Sequence, residues 1–533
     1  MKLRDQVTQE ETKEASSPQA TTRTQPPTIA RVEAAKYGLQ IDSNGLVTWG
    51  PGSRLHPRNW SFSRKAYDTG IIIFVDFFET AVSTAGANAG DQAQNQLGLD
   101  RTLTVFIFTS LYLIGQGIGG LVFPSYSESF GRRWLYIGSG ILFAAFCGLI
   151  GAVPSVAGVV IGRFMTGIFS SVGCIVAAGS IEDMWDSRAR VWLIFAWGTT
   201  ANLGMVVGPI MSAYIIPPLG WRWVFYISAI VCAVSAVFLL PLRESRPSLI
   251  LRRTVDKIRK QTGDTTLKTS SPDDMPDLQT FIRTSVLRPV HLFFTEIIVF
   301  TVSLLSAVAF ALIYLFTEVV PPIFASYTNP PLTRTQQIIP WIAIGAGLLL
   351  GALTRTWDHR RLRNRKTADI APEDKLIGFA LGAPALAVGL WWFAWTVPPA
   401  GSSVPWGVPA ASLVLVGWAL NEFDVVLAGY MADTYRAYAA SGFGAMALLR
   451  SALSAAFPLF APHMYQAMGY NYAGTVLAVM ATVFCLVPPV FMRYGAAIRR
   501  RSKFAMWALG FWEEDGATSV GEDSEAPIME AKR

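Results

Sequence analysis

The chain has 533 residues, 52% of them hydrophobic and only 15% charged, where a soluble domain carries about a quarter charged residues. The apolar residues gather in runs of roughly twenty, the length that crosses a bilayer, and this excludes a soluble enzyme. A net charge of +7 by itself suits an anionic partner such as nucleic acid or a membrane surface, so the placement of the charges decides its meaning.

Residues 1–65 are polar and rich in Pro and Thr at their start and contain no apolar core of a signal peptide. They read as a disordered cytosolic N-terminal tail. Residues 66–243 then hold six apolar spans, at about 66–87, 102–124, 134–152, 155–180, 190–216 and 221–242. Residues 244–289 form a polar cytosolic central loop. Residues 290–493 hold six more spans, at about 290–318, 337–356, 376–397, 406–429, 439–461 and 470–492. Residues 494–533 close the chain as a second cytosolic tail, acidic at Glu513, Glu514, Asp515, Glu522, Asp523 and Glu525. The expectation is an all-α membrane protein of twelve transmembrane helices in two six-helix halves.

Basic residues beside a span tend to stay cytoplasmic. With both termini on the cytoplasmic side, that side collects 39 of the 44 Lys and Arg residues. The +7 therefore reads as an orientation code, and no nucleic-acid partner is expected. Cys147, Cys174, Cys232 and Cys485 all lie inside apolar runs without paired spacing, so they read as packing residues, and neither a metal site nor a cofactor is expected.

A charge at mid-membrane costs at least about 2.5–3.5 kcal/mol and calls for a partner, a wet cavity or a function. In span 1, Thr69, Asp76, Glu79, Thr80 and Ser83 fall on one stripe about 100° wide. Span 4 carries Arg163, span 7 carries Glu296 and Tyr314, and span 10 carries Asn421, Glu422 and Asp424. Every third span thus holds polar groups, Arg450 in span 11 being the main exception. That spacing fits a three-helix repeat used four times around a central cavity. A cavity carboxylate that gains and loses a proton suits a proton-coupled carrier. The structural alternatives are an Arg163–carboxylate pair that only holds helices together and an interfacial position for Glu296. Gly115 and Gly119 in span 2, and Gly204 and Gly208 in span 5, permit close helix approach, while Pro209 loosens the span 5 ladder.

These residues resemble the major facilitator superfamily, specifically its twelve-span drug:proton antiporter branch in the fungal multidrug and polyamine subgroup. SESFGRR, with Glu128, Gly131, Arg132 and Arg133, looks like the superfamily's loop signature after span 2, although Pro124 and Ser129 depart from it. Arg163 with Gly167 in GRFMTG is similar to the span 4 motif associated with proton coupling. Gly204, Gly208 and Pro209 resemble the antiporter motif of span 5, with Ser212 and Ala213 in place of its final glycines. HPRNW, GWRWVFY, LRESRPS and the run from Asp433 to Tyr465 add to the likeness. At Glu296-Ile297 the chain departs from the Glu-Pro common in polyamine-type members.

The resemblance implies a gating loop at 128–133 and a monomeric secondary transporter in the cell membrane or an internal membrane. It would exchange protons for a small organic compound such as a drug, toxin or secondary metabolite. Proton-coupled import of a solute such as a polyamine is the alternative within transport. A membrane-embedded enzyme is disfavoured by four scattered histidines and by the absence of GxSxG and HExxH motifs, and a non-transporting receptor would not need the intramembrane carboxylates. No GxxxxGK[ST] loop is present to bind ATP phosphates.

Overall fold

The computed structural model describes residues 28–42, 45–264, 266–269, 287–327, 332–362, 371–401, 403–435 and 439–502, with the isolated positions 283, 504 and 506. Twelve helices are long and apolar enough to cross a membrane. They are span 1 Phe62–Leu97, span 2 Arg101–Phe130, span 3 Arg133–Ala152, span 4 Val156–Met184, span 5 Ala189–Leu219 and span 6 Arg222–Leu239 in the first half. The second half has span 7 Ile297–Ala325, span 8 Gln336–Leu362, span 9 Ile377–Thr396, span 10 Gly407–Tyr435, span 11 Ser441–Met468 and span 12 Tyr470–Arg501. The helix is the form that lets an apolar run satisfy its own backbone groups where no water is available.

In the first half span 2 packs on span 4 and span 3 on spans 4 and 6. In the second, span 7 packs on span 11, spans 8 and 9 on span 10, and span 9 on span 12. Across the halves span 2 meets span 11 and span 5 meets spans 8 and 10. The most apolar window of span 7 is 78% buried and that of span 12 only 28%. Span 7 is thus a central element, and span 12 presents most of its surface to lipid.

Three helices break their regularity where polar groups gather. Spans 2 and 4 contain π-helical turns at Phe106–Ser110 and Val172–Val176, a form that leaves a carbonyl without its usual donor and is common at functional sites. Span 7 is preceded by a short helix, Arg288–Thr295, and Glu296 is extended between them (φ −109°, ψ 108°). Glu296 therefore stands at the start of span 7 rather than within it.

A second compact unit comprises residues up to Arg64 and 244–275. Its described part contains helix α1 (Thr28–Lys36), strands β1 (Leu39–Ile41) and β2 (Leu46–Trp49), helix α2 (Pro247–Thr262) and strand β3 (Lys268–Thr269). The strand order is β1-β2-β3. β1 pairs antiparallel with β2, and β2 pairs parallel with β3 through Leu46↔Lys268 and Val47↔Thr269. Ala34, Leu39, Val47, Leu251, Val255, Ile258 and Leu267 form its core. Gly263 ends α2 in the left-handed conformation (φ +70°), its N–H returning to the Arg259 carbonyl.

This folded unit differs from the disordered tail and open loop expected from composition. Neither segment buries enough apolar surface alone, and the partners lie about 200 residues apart, so a local window sees only their polarity. Residues 1–27, most of 270–286 and the acidic positions Glu513 to Glu525 fall outside the described residues.

Candidate functional site

The polar stripe of span 1 divides among three neighbours. Asp76 is 1% exposed. Its Oδ2 accepts a hydrogen bond from Trp197 Nε1 of span 5 at 2.7 Å, while Oδ1 meets no hydrogen-bond partner among the described residues. Thr80 also turns to span 5, its hydroxyl 3.1 Å from the Ala201 carbonyl. Ser83 crosses to the other half and shares a 2.8 Å hydrogen bond with the Tyr314 hydroxyl of span 7. Glu79 departs from the stripe. It lines a niche together with Gly140 of span 3 and Cys232 and Ser235 of span 6, its Oε2 lies beside Gly173 of span 4, and that oxygen meets no hydrogen-bond partner among the described residues. Helices surround span 1 here, since residues 79–87 are all buried, so the stripe is not the single wet face that its periodicity suggested.

Arg163 is fully buried, and its guanidinium donates to main-chain carbonyls. Nε and Nη2 reach the Phe108 carbonyl, Nε at 2.8 Å, and Nη2 also reaches the Ser83 carbonyl at 3.0 Å. Tyr112 stacks 4.6 Å from its Cζ and Phe225 5.7 Å. No carboxylate touches it among the described residues, so the helix-pairing ion pair weighed from sequence does not occur. Phe108 lies in the π-helical turn of span 2 and offers its carbonyl as an acceptor, and carbonyl acceptors with aromatic faces suit the planar donor fork of a guanidinium.

The second half supplies an ion pair. Arg450 Nη1 of span 11 lies 2.9 Å from Asp424 Oδ1 of span 10, with its Cζ 4.0 Å from the Phe310 ring centre of span 7. Asn202 of span 5 donates to Asp424 Oδ2 at 3.3 Å and to Asn421 Oδ1 at 3.4 Å, while Asn421 Nδ2 meets no partner among the described residues. Asp76 is within electrostatic range of the Asp424–Arg450 pair. Spans 1, 5, 7, 10 and 11 therefore bring Asp76, Trp197, Asn202, Tyr314, Phe310, Asn421, Asp424 and Arg450 toward the seam between the halves. Glu422 stands apart, packed against Gly351 of span 8 and Gly378 and Gly382 of span 9. Glu296, at the start of span 7, is 6% exposed and accepts from the hydroxyl of Tyr435, the last residue of span 10, at 3.0 Å.

Sequence reasoning passed over Trp197 and Asn202. Asn202 carried a signal, an amide within an apolar span, whereas a tryptophan indole aimed at a carboxylate leaves none. Arg450 stood out as a mid-membrane charge but lay off the every-third-span pattern.

Helix from span 2 continues to Phe130, so the loop signature reduces to a sharp turn at Gly131 (φ +100°) and Arg132. Arg132 is buried and pairs with Asp183 at the end of span 4 at 2.9 Å. Arg133 donates to the Leu240 carbonyl at 3.2 Å, and Glu128 is exposed. The second half repeats the device with unrelated residues. Lys375, before span 9, pairs with Asp433 at the end of span 10 at 2.6 Å. Its neighbour Glu373 receives two 2.8 Å bonds from Arg499.

In span 5, Gly204 faces Thr80 and the Phe77 carbonyl of span 1, and Gly208 faces Thr84 and the Ala81 carbonyl, each too close for a Cβ. Pro209 lies inside the helix, and its carbonyl accepts from Asn88 at 3.4 Å. At the bundle end opposite the arginine-rich loops, Arg101 pairs with Asp91 and with Glu318 of span 7, the latter at 2.6 Å.

The profile of the Major Facilitator Superfamily matches residues 70–458. An MFS-type transporter, oryN, from Aspergillus oryzae is 31% identical over 464 residues, covering 86% of this chain and 90% of the relative. Efflux pump radE from Floropilus chiversii is 27% identical over 466 residues, 86% of each chain. Among solved structures, the proton:xylose symporter XylE superposes with a TM-score of 0.58 at 16% identity, covering 82% of this chain and 96% of that one. A likeness at that identity speaks to the fold alone.

Proposed function

The chain belongs to the major facilitator superfamily of membrane transporters, and from that premise we propose that it is a proton-coupled antiporter that exports a small organic compound by alternating access. The observation that carries the coupling is Asp76, buried, bonded through one oxygen to Trp197 and partnerless at the other. An idle buried acceptor suits a group that takes a proton in one state and a substrate or water in the other. Coupling needs only that the two access states bind this proton unequally.

In this reading Asp76 carries the exchanged proton, and the Asp424–Arg450 pair sets the charge that Asp76 faces. Phe310, Tyr314 and Trp197 provide the aromatic surface against which an organic substrate packs. Arg163 fixes the carbonyls of spans 1 and 2 beside the site. The Gly131–Arg132 turn acts in gating, through the Arg132 contact with span 4. Export is supported by the name of the Floropilus relative. The chain acts as a monomer with both termini in the cytosol, as the clustering of basic residues on one side supports.

Inverted vesicles with an imposed pH gradient and a fluorescent rhodamine dye as probe test this function. Wild type accumulates dye as the gradient dissipates, Asp76→Asn loses gradient-driven accumulation while still binding dye, and Glu79→Gln, altered outside the seam, retains most of it. Full gradient-driven accumulation by Asp76→Asn overturns the assignment.

A further inference from the structure

The small unit built from α1, β1–β3 and α2 carries a charge imbalance that its own fold does not use. Residues 1–64 and 244–275, which make up this unit, contain sixteen Lys and Arg against eleven Asp and Glu. Helix α2 concentrates it. Leu251, Thr254, Val255 and Ile258 are buried, which leaves the opposite face exposed with Arg253, Lys257 and Lys260. These sit at i, i+4 and i+7, on a stripe about 60° wide. Asp256, the one acidic residue of α2, pairs with Arg259 at 3.1 Å and does not neutralise the stripe. Lys257 also lies 5.4 Å over the Tyr37 ring.

Chain length limits what this face can meet. Seven residues separate Leu239, the end of span 6, from Pro247, the start of α2, a tether of at most about 28 Å when extended. A juxtamembrane helix whose apolar face is already committed to a protein core cannot insert into lipid, but its basic face meets the negative surface potential of an anionic leaflet. We propose that Arg253, Lys257 and Lys260 form a binding face for anionic lipid headgroups, holding the small unit against the membrane surface. Each basic residue near such a leaflet contributes about fivefold to the docked population.

A fluorophore on Gln261→Cys, exposed beside the stripe, reports docking in the full-length protein reconstituted into vesicles with a headgroup-quencher lipid. Vesicles containing phosphatidylserine quench the probe several-fold more than pure phosphatidylcholine, and high salt removes the difference, as screening requires. Arg253→Gln/Lys257→Gln/Lys260→Gln abolishes the excess quenching while dye transport in phosphatidylcholine vesicles continues, and the charge-preserving Arg253→Lys/Lys260→Arg keeps it. Equal quenching in both lipids, or quenching that survives the triple neutralisation, overturns the proposal. It also fails if lipid composition has no effect until residues 507–533 are removed, because the acidic tail is then the occupant of the basic face.

Discussion

Arg163 directs a full guanidinium donor set at main-chain oxygens inside the membrane. Lysine keeps the charge but offers a compact ammonium in place of a planar fork, so Arg163→Lys retains the Phe108 bond and loses Ser83 or the stacking on Tyr112. Arg163→Met leaves the Phe108 carbonyl without a donor in an apolar surround, at about 1–3 kcal/mol. Heat inactivation in detergent ranks wild type above Lys and Lys above Met, and equal stability of Met and wild type would show those bonds to be idle. The Ser83–Tyr314 bond is a tie between halves, and Ser83→Ala with Tyr314→Phe forms a double-mutant cycle. A coupling energy of about 0.5–1.5 kcal/mol is expected from one hydrogen bond. At this scale sequence identifies the costly residues and not their partners. Asp76, Arg163 and Asp424 announce themselves as charges in apolar spans, yet their partners depend on helix register, as Glu79 demonstrates by turning to Gly173 of span 4 while Asp76 bonds to span 5.

The contact of span 5 with span 1 rests on Gly204 and Gly208, which let Thr80 and Thr84 of span 1 approach the helix backbone. A side chain at Gly208 collides with both Thr84 and the rigid Ala81 carbonyl, so the helices must separate. Gly208→Val therefore removes transport, while Gly208→Ala combined with Thr84→Ser, which still clashes with the carbonyl, restores none of it. Dye accumulation in vesicles checks both variants, with surface expression as the control. The spans were legible because an apolar run of about twenty residues has one structural outcome in a bilayer. The small unit was not. Leu251, Val255 and Ile258 do show helical spacing, but β2 and β3 are short and pair in parallel across the sequence, a register that no local pattern encodes. Replacing Val255, which is fully buried, by Asp should expose residues 28–60 to protease without reducing the twelve-span fold, and unchanged protection would remove β2 and α2 from a common core.

For the molecule to alternate its access, ties between the halves must break at one end as others form at the other. At the arginine-rich end the rings of Trp192 and His359 meet at 5.8 Å, and Arg355 lies 5.8 Å from the Phe195 ring, contacts made by spans 5 and 8 that cost little energy to separate. The opposite end is held by charge. Glu318 is 4% exposed and meets Arg101, which also meets Asp91. Buried pairs punish the loss of one partner more than the loss of both, because the remaining charge stays desolvated. Arg101→Ala should accordingly impair folding, whereas Glu318→Gln keeps a neutral hydrogen-bonding partner and only weakens the tie. Loss of about 1–1.5 kcal/mol from the closed state raises the open population about five- to tenfold. A cysteine at Thr317, buried in the closed arrangement, reads that population through its rate of labelling by an impermeant maleimide. Faster labelling in Glu318→Gln is the expected result. An unchanged rate would assign the closure of that end to the apolar packing of spans 2, 7 and 11, with the ion triad a bystander.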